Sequence, residues 1–226
     1  MTINLINLSD DKKFFSQLNN EFIPMGSCNV TSAVMALKAS NIPFDYPKNQ
    51  RPSDYLYQLL QTKESYDMMD RLAPWAKPGG FPPEQVHVML AWGVNKLTGY
   101  DCAKFTQKIT LQELIYNLFA LKTAAVVTGK FTSYGHMVTL VGVETKQREN
   151  QITKPTDVDL TKVKNFIVDD PYGDWHTKYK DQNGNDIKFT FEQFNDLTRN
   201  YNADDAKWAH VYTRRITNSN TAGFNE

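Results

Sequence analysis

The sequence predicts an α+β protein, a helical first half packed on an antiparallel sheet. Up to about residue 122, apolar residues recur at helical spacing between caps and prolines. From about residue 123, short β-branched runs alternate with turn residues. The two patterns are segregated along the chain, which points to α+β rather than α/β. With 226 residues, 41% of them hydrophobic, the chain can build a substantial core. It is read as one domain over 1–226, with a helical half at about 14–122, a sheet half at about 123–215 and a frayed tail at 216–226.

Residues 29–40 place Val30, Ala33, Val34 and Leu37 at i, i+3, i+4 and i+7, one apolar helical face. Residues 53–62 suit a second helix with Ser53 as its cap. A loop rich in Pro and Gly spans Pro74 to Pro83. Pro82-Pro83-Glu84 opens a third helix, to about Lys96, because proline is pre-organised for a first turn. Thr110 with Glu113 forms a capping box for a fourth. Strands are expected at 124–128, 136–143, 165–169 and 207–213. Asn183-Gly184 suggests a type I′ hairpin joining 177–180 to 187–190, since both central positions of that turn need positive φ. The polar stretch 145–164 reads as an excursion between two strands.

Lys plus Arg number 25 and Asp plus Glu number 25, a net charge of zero that argues against a general nucleic-acid binder. No apolar run is long enough to span a bilayer. The start, Met-Thr-Ile-Asn-Leu-Ile-Asn-Leu-Ser-Asp-Asp, lacks the basic and apolar regions of a signal peptide. Synthesis in a cytoplasm is therefore expected, with any release to a cell wall needing another route. A monomer is expected. The two cysteines, Cys28 and Cys102, cannot build a disulfide framework, and no paired Cys or His motif suggests zinc. The reading calls for no metal and no cofactor.

Cys28 directly precedes the first amphipathic helix. There the free N–H groups and the positive end of the helix dipole favour thiolate, the nucleophilic form. Alone, it reads more readily as a small buried apolar residue. His136 follows Tyr134-Gly135 and opens an apolar strand, where an imidazole can face a cleft. Asp169-Asp170-Pro171 closes the next strand, and a carboxylate there can accept the imidazole N–H and fix its ring. Alternation sends Asp169 and Asp170 to opposite faces, so only one of them can meet His136.

Gln17-Leu18-Asn19-Asn20, Cys28-Asn29-Val30-Thr31-Ser32, Gly135-His136-Met137-Val138 and Asp169-Asp170-Pro171-Tyr172-Gly173 together resemble the papain-like cysteine peptidases, in particular the branch related to bacteriocin leader (double-glycine) peptidases. The resemblance covers about residues 14–175. It implies a papain-like fold with Cys28 as nucleophile, His136 as general base and acid, Asp170 as orienting carboxylate and Gln17 as oxyanion donor beside the Cys28 N–H. Two departures stand out. The usual Cys-Gly-Pro is Cys-Asn-Val, and Gln17 lies far enough before Cys28 that Asn19 or Asn20 could substitute. The implied activity is cysteine-dependent amide hydrolysis. The substrate expected first is a bacterial cell-wall peptide, as for a phage-type peptidoglycan hydrolase. A cytosolic or injected peptidase, an acyl-transferring thiol enzyme and a non-catalytic module of the same fold stay open.

Tyr134, Gly135 and Trp175 are candidates for the substrate cleft, Trp175 also as a shield for the ion pair. His87, inside a helix, suits packing or the surface. His210 and His176 have no evident partner, and Cys102 reads as structural. Asp181-x-Asn183-x-Asn185 resembles a calcium loop but lacks its glycine, with Asp186 in that place.

Overall fold

Helix α1 (Cys28–Ala39) buries nine of its twelve residues. The sequence pattern predicts a single apolar face. The structure instead surrounds the helix on all sides, which its small residues Ala33, Ala36, Ala39, Ser32 and Thr31 permit. The computed structural model describes residues 3–72, 82–199 and 206–215. Most of the Pro74–Pro83 loop and the expected tail at 216–226 lie outside the described residues.

Around α1 pack α2 (Pro52–Leu60) and α4 (Pro83–Thr98), with α3 (Lys63–Leu72) against α4. Helix α2 begins at Pro52, and Ser53 does not cap it. The Ser53 hydroxyl donates instead to Asn20 Oδ1 at 2.7 Å. Helix α5 (Leu111–Tyr116) has the expected Thr110–Glu113 capping box and continues as one π-type turn over Asn117–Leu121. Helix α6 (Phe191–Leu197) carries a second such box, Thr190 with Gln193.

The strands are β1 (Asn4–Asn7), β2 (Ala103–Ile109), β3 (Ala125–Gly129), β4 (His136–Thr145), β5 (Val163–Asp169), β6 (Ile187–Thr190) and β7 (Lys207–Tyr212). They form one antiparallel sheet in the order β2-β7-β3-β4-β5-β6, with β1 pairing to β4. Strand β2 comes from the half read as helical and β1 from the residues before it, so segments from both ends of the chain interleave in the sheet. The excursion between β4 and β5 folds as three short 3-10 turns.

Alternation along the strands feeds two cores. Val126, Val141 and Ile167 join α1, α2 and α4 in one apolar cluster. Val127, Val138, Leu140, Phe166 and Val168 join α5 and α6 in the other. The expected Asn183-Gly184 hairpin does not form. Residues 177–180 are not a strand, and neither Asn183 nor Gly184 has positive φ. Glycine is needed at 184 for another reason: a Cβ there would lie 1.9 Å from the Asp170 carbonyl oxygen.

Candidate active site

Two hydrogen bonds fix the start of α1 against β4. Ser32 Oγ donates to the Met137 carbonyl at 2.9 Å, and Thr139 Oγ1 donates to the Ser32 carbonyl at 3.0 Å. Cys28 opens the helix and His136 opens the strand, so this pairing brings thiol and imidazole together. Gly135, at φ 82°, makes the left-handed turn that delivers His136 to the strand end. The Ser27 side chain makes no cap bond to the helix, and its Oγ accepts from Asn20 Nδ2 at 2.9 Å. In the first turn the Val30 N–H goes to Asn29 Oδ1 at 2.8 Å, while the Asn29 N–H is directed at the Cys28 sulfur.

Cys28 is half-buried. Burial opposes its ionisation, but the hydrogen bond and charge of His136, with backbone hydrogen bonds from Met137 and Asn29, outweigh it and hold the thiol below its ordinary value. Burial likewise opposes the charged form of His136. Asp170 and Cys28 reverse that and raise the imidazole to about 9. The two shifts run in opposite directions, and both favour a thiolate–imidazolium pair over the neutral pair.

His136 Nε2 donates to Asp170 Oδ1 at 2.7 Å, which leaves Nδ1 for the thiol. The fully buried Asp170 carboxylate also accepts from the Tyr172 N–H at 2.9 Å. Asp169, equally buried, turns the other way. It accepts from Ser9 Oγ and, at 3.0 Å, from the Asp186 N–H. Burial raises its pKa to about 6.

Gln17 sits in a 3-10 turn, with its own N–H on the Pro171 carbonyl at 2.8 Å. Its Nε2 donates one hydrogen to the Pro24 carbonyl at 2.8 Å, and the second remains for another acceptor. Asn20 is committed elsewhere. Its amide nitrogen donates to Ser27 and Thr31, and its oxygen accepts from Ser53, so no donor is left for a substrate. Asn19 is exposed.

The rings that wall His136 are Phe131, Tyr172 and Tyr179, with centroids 6.5, 6.1 and 6.3 Å away. Trp175, expected as a shield, packs on Phe189 and His176 instead, because the 3-10 turn at 175–177 carries it past the imidazole. Tyr134 is fully exposed and, with Gly135, lines a cavity of about 910 Å³. The three walling rings carried no sequence signal beyond the position of Tyr172 just after Asp170-Pro171. His210, without an evident partner in the sequence, bonds at 2.9 Å to His87, the helix histidine expected at a packing or surface position. Among the described residues, no cluster of three or more His, Cys, Asp or Glu is placed to hold a metal ion.

A cysteine at the start of a buried helix, set against a histidine on an antiparallel sheet, defines the class as papain-like α+β. The chain belongs to the Peptidase_C39 like family, whose model matches residues 9–207. That family, of the bacteriocin leader peptidase type, supports a cysteine-peptidase function. No curated protein matches the chain.

Proposed function

We propose that this protein is a cysteine-dependent amide hydrolase that cleaves peptide bonds with Cys28, His136, Asp170 and Gln17. The observation that carries this reading is the thiol–imidazole–carboxylate line, Cys28 to His136 to Asp170, with opposed shifts in the first two groups. The Cys28 thiolate attacks the amide carbonyl carbon and the C=O π electrons move to oxygen. The Cys28 N–H and the spare hydrogen of Gln17 Nε2 donate to that oxyanion. A well-placed donor of this kind lowers the barrier by about 3–4 kcal/mol. As the tetrahedral intermediate collapses, the C–N bond breaks and imidazolium His136 gives its proton to the leaving amine. Neutral His136 then takes a proton from water, whose oxygen attacks the thioester, and Cys28 leaves as thiolate. Asp170 holds the imidazole in the tautomer this requires.

Cell-wall peptides are the substrates we place first, because the resemblance extends to enzymes that act on them. The test is incubation of the purified chain with peptidoglycan fragments and with generic peptides, products being identified by mass spectrometry. Cleavage that disappears in Cys28→Ala supports the reading. Equal turnover by Cys28→Ala, or no cleavage of any peptide, overturns it.

A further inference from the structure

The cavity of about 910 Å³ opens beside the histidine strand. Tyr134 and Gly135, the two residues before His136, line it, as does Gly129, which faces His136 across the β3–β4 ladder. The cavity thus adjoins the residues that deliver His136 to the site, and its volume suits a large side chain. Trp208 and His87 form part of its lining.

His87 is tightly held. Its ring stacks on Phe105 at 4.4 Å and 7°, and Trp208 meets it edge-on at 5.6 Å. Its Nδ1 lies 2.9 Å from Nε2 of His210, a fully buried residue of β7. Burial keeps both imidazoles neutral at neutral pH, His87 at about 4, so each carries one proton. His210 Nδ1 is buried without a partner. If His87 donated within the pair, His210 would have to carry its proton on that nitrogen, as a buried N–H with no acceptor. Such orphaned donors are the rarer kind. The better arrangement has His210 Nε2–H donating to His87 Nδ1. His87 then carries its proton on Nε2, the nitrogen left for the cavity that its ring lines.

We propose that this cavity receives one side chain of the peptide substrate, and that His87 Nε2–H donates to a carbonyl-type oxygen on it. The preferred residue at this position therefore carries a carboxamide or carboxylate and is not glycine. This rests on the peptidase reading above. Glu84, Lys130 and Arg199 all line the cavity, so both signs of charge are present and the shared acceptor oxygen is the recognised feature.

The test measures binding, not turnover. Short labelled peptides carrying Gly, Leu, Gln or Glu, scanned through each position, are titrated into the full-length Cys28→Ala protein and followed by anisotropy. At one position, Gln or Glu should bind roughly tenfold tighter than Leu or Gly, the worth of one hydrogen bond. His87→Phe, which keeps a ring on Phe105 and removes the N–H, should abolish that difference. Imidazole ¹⁵N spectra of the protein with His87 intact give a second readout: His87 should be protonated on Nε2 and should shift with the Gln peptide but not the Leu peptide. Equal or tighter binding of the Gly peptides overturns the proposal, as does a preference that survives in folded His87→Phe or an unprotonated Nε2. Selective binding without cleavage by the unaltered chain would sink the hydrolase reading and leave this site standing. Cleavage without selectivity would do the reverse.

Discussion

His136 Nε2 and Asp170 Oδ1 lie 2.7 Å apart, while the neighbouring Asp169 carboxylate is bonded to Ser9 and the Asp186 N–H on the other side of the strand. Two adjacent acids thus have separate partners. Asp170→Ala should lower kcat by roughly 100-fold, about 2.7 kcal/mol, and leave residual turnover, because thiolate and imidazole can still pair. Asp169→Ala should cost less than tenfold. The same kinetics carry a pH signature. Turnover needs Cys28 deprotonated and His136 protonated, so kcat/KM should be bell-shaped with its alkaline limb near 9. That limb should move to lower pH in Asp170→Ala, since the carboxylate is what raises the imidazole. Reversed severity of the two variants, or an unmoved limb, would assign the orienting role to the wrong acid.

Iodoacetamide should modify Cys28 far faster than Cys102 at neutral pH. His136 holds the Cys28 thiol down, whereas burial pushes that of Cys102 up and also screens it from reagent. Peptide mapping by mass spectrometry after timed quenching gives both rates from one sample. Similar rates in the folded protein would remove the ground for treating Cys28 as the nucleophile.

Asp169 makes a separable prediction about stability. Its pKa is raised in the fold, from 3.8 to about 6, so the folded state holds the proton more tightly than the unfolded chain. The stabilising contribution is fully present below about 4 and is lost as pH rises through about 6. A shift of this size corresponds to roughly 3 kcal/mol. Asp169→Asn, which stays neutral, should therefore gain stability relative to the parent between pH 5 and 7, read from urea midpoints. A parent-minus-variant difference that does not change over that range would contradict the buried-carboxylate account.

The features legible in the sequence were those encoded within a few residues. Pro83 at the start of a helix, the Thr110–Glu113 box and a cysteine poised before an apolar helix are local patterns, and each appears where its chemistry predicts. What escaped depends on partners far along the chain. Strand β1 has four residues and shows no alternation, because its place is set by pairing with Gly142–Thr145. Strand β2 is mostly polar and gains its identity from β7. Asn183-Gly184 has the composition of a hairpin turn, yet the glycine answers to the Asp170 backbone packed against it. Likewise Tyr179 falls within an expected hairpin strand in the sequence, and only the fold brings its ring against His136. The His87–His210 bond joins a helix to a strand 123 residues away, beyond any local pattern.

Gly184 has a consequence for the order in which the protein is made. The Asp170 N–H donates to the Gly184 carbonyl at 2.8 Å, and the turn after it receives the Gln17 N–H through Pro171. Segments from the beginning and the late middle of the chain must both be present before the acid is held in place. On the ribosome, the thiol leaves the exit tunnel long before the imidazole, and the imidazole before the carboxylate and its glycine support. In a growing chain the Cys28 thiol therefore lacks its histidine and carboxylate support until residue 184 has emerged.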